Sequence, residues 1–562
     1  MKHPKFIFVI GGVMSSVGKG ITASSIGTIL QSRGYRITNV KCDMYVNIDA
    51  GTIRPTEHGE VFIGADGIEA DQDLGNYERF TGRTMTELNY ITTGQVYQEV
   101  IRKERNLEYH GEDVEVVPDV PQEIIRRIEC AQKKNKAEIT IVEFGGTVGE
   151  YQVLLFLEAA RIMKVHNPDD IAFVLVSYLP LPSHIGEMKT KPTQYAVRTL
   201  NAAGIMADFI VARAERVLDQ RRREILAMVC NLRPGTVLAA PNQESIYDVP
   251  LLFHEQKLDE MLLRSLGLRP RKNDLRIWRN FSRKVKRCKK TVNIGVVGKY
   301  FGTGDFTLAD SYISVIEAAK HAAWAHDAKP HLTWIDSAEY EKDPKKVREL
   351  SRYDGIIVPG GFGSRGIEGV LRAIQYVREN GIPYLGLCYG MQLATIEFAK
   401  NVAKIANANS VEIDPNTSDP VICVNPKQQK NILEKQMGAT MRLGSYPCTV
   451  QKKSLAYRAY KQGKISERHR HRYEFNNHYR EALERAGMRI SGINEKDNLV
   501  EIVELINHPW FVGTQFHPEF QSHPLTPHPL FKDFIGATLK EKNGRLGNAS
   551  TRIAAQANHA KD

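Results

Sequence analysis

The segment Gly386-Leu-Cys388-Tyr-Gly390-Met-Gln392 has the spacing glycine, any residue, nucleophile, any residue, glycine, and it follows the apolar run Ile382 to Leu387. Flanking glycines relieve the crowding of a sharp strand-to-helix turn. Such a turn presents the Cys388 sulfur at a sheet edge, where the positive end of the following helix favours thiolate. A cysteine at a strand end is, by itself, only a small hydrophobe, so its partners decide. They stand in Gln515-Phe-His517-Pro-Glu519-Phe, where His517 is the expected general base and acid and Glu519 orients its ring. The turn Val358-Pro-Gly-Gly-Phe-Gly363 offers the N–H groups of Gly360 and Gly361 as an oxyanion hole. Together these pieces predict covalent catalysis through Cys388.

A second chemistry is written near the N-terminus. The apolar run Phe6 to Ile10 opens onto Gly11-Gly-Val-Met-Ser-Ser-Val-Gly-Lys-Gly20, and a helix is expected from about Ile21. This is a phosphate-loop variant: glycines turn backbone N–H groups toward phosphate oxygens, and Lys19 supplies a mobile charge. Ser or Thr usually follows that lysine to hold a metal, but Gly20 stands here, so the metal must be held elsewhere. Asp71 and Asp73 in Glu69-Ala-Asp-Gln-Asp73 offer carboxylates, as does Glu143 at the end of Ile139 to Val142, just before the turn Gly145-Gly-Thr-Val-Gly149. Ligands gather at the carboxyl edge of a parallel sheet, so Asp73 and Glu143 are the expected ligands of a magnesium ion (Mg²⁺).

These groups need a scaffold. Short β-rich runs alternate with longer amphipathic stretches through the first half, and the rhythm restarts at Val292-Asn-Ile-Gly-Val-Val297. The expected fold class is α/β, with two three-layer α/β domains: a P-loop-type synthase domain over 1–268 and a second over 291–540. Between them, 269–290 reads as a basic, solvated linker, and 541–562 as a frayed polar tail. A chain of 562 residues accommodates two such domains.

The net charge of +11 arises from 76 basic against 65 acidic residues, a mixed surface that argues against a nucleic-acid partner. Seven scattered cysteines without a C-x-x-C pair argue for a reducing, cytoplasmic setting. The first apolar run is too short for a signal segment or a membrane span, so no membrane association is expected.

Several of these motifs, with His58-Gly-Glu-Val-Phe62, Asp73-Leu-Gly-Asn-Tyr-Glu-Arg-Phe80 and Gly186-Glu-Met-Lys-Thr-Lys-Pro-Thr-Gln194, resemble those of the CTP synthase family, in the same order over about residues 1–535. The Cys388 half resembles a class I glutamine amidotransferase domain. The resemblance implies that ATP phosphorylates the 4-oxygen of UTP and that ammonia from glutamine displaces the phosphate, giving CTP. It implies that Ser16, Val17, Gly18, Lys19, Gly20, Ile21 and Asp73 bind ATP, with Lys19 and Lys41 offsetting charge and Asp73 and Glu143 holding magnesium. Ser15, Glu150, Tyr151 and Gln152 would bind UTP or the inhibitor CTP, together with Lys189, Thr190, Lys191, Pro192, Thr193 and Gln194. Glutamine would meet Gly361, Tyr389, Gly390, Met391, Gln392, Glu412 and Arg472, the last as a guanidinium fork for its carboxylate. Arg365, Gly366 and Glu368 resemble the region linked to allosteric GTP. A homotetramer is also implied.

The chain departs from the family pattern at Met44 in Lys41-Cys-Asp-Met-Tyr45, at Asp119 in Pro118-Asp-Val120, and at Ile225, where a lysine is expected. Loss of that cation should weaken nucleotide binding unless Arg221 to Arg223 substitute. Tyr389 also stands where leucine is commoner. Two rival readings follow: a paralogous glutamine-dependent ligase with another pyrimidine or a carboxylate as acceptor, and a regulatory or filament-forming protein with little activity.

Overall fold

The computed structural model describes residues 3–559 except 185, 299–301, 304–305, 308, 362–365, 426–427, 429–437 and 439. The chain divides into two compact units, Met1–Ala50 with Asp73–Arg283, and Gly51–Gln72 with Lys284–Asp562.

In the first unit, the apolar run forms the strand Lys5–Gly11, buried on both faces as a parallel strand covered by helices on each side must be. It sits centrally in a seven-stranded sheet. The order is Tyr90–Thr92, Ile37–Asp43, Ile139–Phe144, Lys5–Gly11, Ile171–Tyr178, Phe209–Ala214 and Val237–Pro241, with every pair parallel. Parallel pairing brings all carboxyl ends to one edge, and the register sets Lys41 beside Glu143 and Val9 beside Glu143 from the other side. The helix Lys19–Gln31 leaves that edge with buried Gly20, Ala23, Ser24 and Gly27, which add little bulk against their neighbours.

The basic run is not a wholly solvated linker. Arg276–Arg287 is a helix whose basic side chains stay outside while Trp278 and Phe281 are buried. Trp278 stacks on Phe80 and Tyr247 at centroid distances of 5.8 and 6.1 Å, and Phe281 meets Tyr247 edge-on at 5.8 Å. The two rings of this helix bury too much apolar surface to remain in water, and their spacing of three residues puts them on one face.

The second unit has a nine-stranded sheet. It runs Ala328–Asp336, Lys290–Gly298, Gly355–Val358, Tyr384–Leu387, Phe511–Thr514, Leu499–Leu505, Met488–Asn494, Arg442–Val450 and Lys464–His471. The first five strands are parallel and the rest antiparallel. Ile356 and Val358 face a core shared with the helices Ile367–Glu379 and Tyr389–Asn401. On the opposite face Ile357, Leu385 and Leu387 meet Ile313–Ala325 and the start of Pro529–His559. The polar tail continues that last helix to His559 instead of fraying; its alanines favour helix, and no proline interrupts it.

A single cut near residue 268 does not describe the division. Gly51–Gln72 belongs to the second unit, where Val61–Ile63 and Glu69–Asp71 form an antiparallel hairpin. Its side chains find their partners there: Phe62 meets Phe520 edge-on at 5.2 Å, and Glu69 pairs with Arg470 at 2.8 Å.

Candidate functional site

Three neighbouring parallel strands of the second unit assemble one site. Val358 pairs with Gly386 on one side of the strand Tyr384–Leu387, and Leu387 pairs with Thr514 on the other. The segments that leave these strands, at Gly360, Cys388 and Gln515, therefore emerge side by side. Cys388 takes a positive φ of 49°, a conformation that a non-glycine residue holds only when its surroundings impose it, and the helix Tyr389–Asn401 starts directly after it. The Cys388 N–H donates to Thr514 O at 2.6 Å, which fixes the elbow to the neighbouring strand.

His517 Nδ1 lies 2.7 Å from Glu519 Oε1, and the His517 N–H donates to Arg468 O at 2.8 Å. Burial works to lower the His517 pKa, but the Glu519 carboxylate and the Cys388 sulfur outweigh it and push it up to about 10. The carboxylate and the sulfur thus favour the protonated form of the ring. A Cβ added at Gly360 would lie 2.8 Å from His517 Cε1, so this turn faces the imidazole directly. Gly360, Gly361, Cys388, His517 and Glu519 line one open cleft. A thiol, an imidazole held by a carboxylate, and a glycine turn thus share one space.

The remaining glutamine-contact candidates are distributed unevenly. Tyr389, Gly390, Met391 and Gln392 form the buried first turn after the elbow, and Gln392 Nε2 donates to Tyr473 O at 3.0 Å. Arg472 is buried and donates to Gln428 Oε1 at 3.1 Å, while Glu412 is half-buried with its N–H on Ser410 Oγ. It is Arg470 that lines the cleft, with its carbonyl 3.9 Å from the Cys388 sulfur. Sequence reading passed over Arg470 because a run of alternating Arg and His does not reveal which members face the sulfur. Gln515, whose Nε2 lies 3.7 Å from that sulfur, was missed too. Gly366 begins the helix Ile367–Glu379 and Glu368 is exposed in its first turn; Arg365, with Phe362 and Gly363 of the glycine turn, lies outside the described residues.

In the first unit the phosphate-loop candidates form a bent loop with Ser15 and Ser16 exposed at its tip and Val17 and Lys19 buried beneath. Gly18 has φ 86° at the helix start, and Ile21 lies in the first turn. Lys19 Nζ donates to Gly146 O at 2.9 Å. Its pKa is lowered by burial and then by Lys41, with Glu143 and Asp73 opposing. Lys41 Nζ bridges Asp73 Oδ2 and Glu143 Oε1, the latter at 3.0 Å. Asp43 lies 3.8 Å from the same ammonium. Burial, then the Asp73 carboxylate, pushes the Glu143 pKa up to about 8.

The absent hydroxyl at Gly20 now has a physical reason. A Cβ built there would lie 1.8 Å from Asp73 Oδ1, so the carboxylate fills the space that a serine would take. Asp73 and Glu143 present hard oxygen donors to a shared cation, Lys41 Nζ, and magnesium accepts that donor set. Tyr77, which donates to Glu143 Oε2, was not singled out from the sequence; it lies one helical turn after Asp73 and so shares its face.

The nucleotide candidates lie around the same sheet edge. The N–H of Val148 donates to Gly11 O at 3.0 Å, which backs the Gly145–Gly149 turn onto the loop. Glu150 Oε1 accepts from the Thr147 N–H and hydroxyl, and from Gln152 through its other oxygen, while Tyr151 is 90% exposed. Thr193 Oγ1 is 2.8 Å from Ser177 Oγ in the core. Lys191 and Pro192 open the helix Lys191–Ala202, and Gln194 Nε2 donates to Thr190 Oγ1.

Three of the family departures sit in ordered local surroundings. Met44 is buried in the apolar core, and Asp119 accepts the Glu115 N–H at 2.9 Å. Ile225 is half-buried, but Arg222 on the same helix reaches Glu187 at 3.2 Å, the partner of Lys189 at 2.8 Å.

A cysteine elbow beside a histidine–carboxylate pair in this sheet is the architecture of class I glutamine amidotransferases, and residues 307–537 match the family described as glutamine amidotransferase class-I. Residues 5–268 match the CTP synthase N-terminus. The chain is 49% identical to a CTP synthase of Caldanaerobacter subterraneus subsp. tengcongensis, over 97% of this chain and 99% of that protein. A CTP synthase of Carboxydothermus hydrogenoformans is 48% identical over 95% of this chain and 99% of its own. The solved glutaminase domain of a Trypanosoma brucei CTPS with bound acivicin is 36% identical and covers 44% of this chain and 94% of that one, with a TM-score of 0.41. The chain belongs to the CTP synthase family.

Proposed function

We propose a division of labour within a chain that, as a family member, is a ligase making CTP from UTP with nitrogen from glutamine. Residues 1–268, apart from the segment 51–72 that belongs to the second unit, form the synthase domain and 291–540 the glutaminase domain. Cys388 attacks the side-chain amide of glutamine, Gly360 and Gly361 receive the oxyanion, and His517 protonates the departing ammonia. A thioester remains for water. Gly361, Tyr389 to Gln392, Glu412 and Arg472 hold the glutamine.

At the other centre the backbone of Ser16 to Ile21 cradles ATP phosphates, and Lys19 and Lys41 offset charge on the group in transit. Asp73 and Glu143 hold magnesium, which supplies further charge neutralisation when bound. Phosphorylation makes the uracil 4-oxygen a leaving group, and ammonia from Cys388 chemistry displaces it. Ser15, Glu150 to Gln152 and Lys189 to Gln194 bind UTP, or CTP as inhibitor. GTP activation through Arg365, Gly366 and Glu368, a homotetramer and a cytoplasmic setting complete the proposal. Among the described residues no helix is long and apolar enough to cross a membrane.

The observation that carries the reading is the pairing of Asp73 with Gly20 and Lys41: a phosphate loop has surrendered its own hydroxyl to a carboxylate from another helix. The near full-length similarity to CTP synthases does not favour another acceptor or an inactive protein. The decisive assay supplies ATP, magnesium and UTP with either glutamine or ammonium and measures CTP. Absence of CTP with both nitrogen sources, while glutamine is still hydrolysed, would refute UTP as acceptor.

A further inference from the structure

The hairpin segment does more than pack on the second unit. Pro55, Glu60 and Val61 line the same cleft as Cys388 and His517. Glu60 is buried, and its two carboxylate oxygens accept the Ser314 N–H at 3.1 and 3.2 Å, with the Ser314 hydroxyl donating to one of them. Ser314 lies in the first turn of Ile313–Ala325, where backbone N–H groups have no partner within the helix, so a buried anion there is held by charge and by hydrogen bonds together. The Glu60 N–H also donates to Asp310 O at 3.0 Å, so both ends of this residue are tied to one short stretch of chain.

Farther along the hairpin, the strand Lys464–His471 takes hold. Arg468 Nη1 donates to Ile63 O at 2.9 Å while its own carbonyl accepts the His517 N–H. Arg470 pairs with Glu69 while its carbonyl faces the Cys388 sulfur. The residues that grip the hairpin are therefore the residues whose backbone braces the reacting pair.

We infer that Glu60 is a positioning residue for the reaction at Cys388, its clasp on Ser314 setting the Pro55–Val61 wall across the glutamine cleft. This rests on reading Cys388 as the glutaminase nucleophile. In the full chain, Glu60→Ala should lower kcat/KM for glutamine about tenfold, chiefly through KM, while ammonium-dependent CTP formation stays within about twofold of wild type. Ser314→Ala, a smaller excision, should cost a few-fold in the same parameter, and Glu60→Gln, which keeps an acceptor oxygen, should recover much of the loss. An unchanged kcat/KM for glutamine in both alanine variants would overturn the clasp. So would equal losses with glutamine and ammonium, which would mark general damage. A Cys388→Ala control separates the two ideas: if it still hydrolyses glutamine, the nucleophile assignment fails, whereas an inactive Cys388→Ala beside a wild-type-like Glu60→Ala removes the clasp alone.

Discussion

The two centres handle charge in opposite ways. Around Lys41, an ammonium is held among Asp43, Asp73 and Glu143, and a second ammonium, Lys19, lies buried nearby. That arrangement neutralises itself, and under the proposed function its members would exchange partners when a triphosphate and a metal bind. Around Cys388 the histidine and its carboxylate already have their working hydrogen bond, and the elbow is locked to the next strand. The comparison teaches that a centre for highly charged ligands rests in a self-compensated state, whereas one for a neutral amide can be assembled in advance.

The sharpest way to break this contrast is Cys388→Ala. Glutamine-dependent CTP formation should fall by about 10⁴-fold or more while ammonium-dependent formation survives; loss of both would join the two chemistries. Glu519→Gln should cost about 10²- to 10³-fold with glutamine. It should also move the alkaline limb of the pH–rate profile downward from about 10, because the carboxylate that raises the His517 pKa is gone. An unmoved limb would show that Glu519 does not set it.

Gly20→Ala tests the other centre. Forcing the Asp73 carboxylate aside should reduce CTP formation about 10²-fold with either nitrogen source, with glutamine hydrolysis spared. Retained synthesis would show that the carboxylate can be displaced freely. The smallest effect concerns Glu143. Its pKa of about 8 means a proton competes with magnesium below that pH, so metal affinity should rise by up to about tenfold per pH unit toward 8 and then level off. Titration calorimetry at several pH values would check this, and Glu143→Gln should flatten the dependence.

Much of each centre was legible because its signals are local. A strand, a glycine-rich turn and a helix stand consecutively around Lys19, and the same holds for the elbow at Cys388, so neighbouring residues alone determine the geometry. Two misjudged segments also have local causes: the basic run hid two buried rings by its charge, and the polar tail hid helix-forming residues by its composition.

By itself, then, the sequence determined the α/β rhythm, the two chemistries and the residue types that carry them. Tertiary structure alone decided that Asp73 occupies the place of a Gly20 side chain, that Arg470 faces the Cys388 sulfur, and that residues 51–72 join the second unit to wall its cleft. The reason is that each depends on long-range packing, of the helix Asp73–Thr81 against the helix Lys19–Gln31 and of the hairpin 51–72 against the antiparallel strand Lys464–His471, and such packing brings together residues tens to hundreds of positions apart without leaving a mark in the spacing of either.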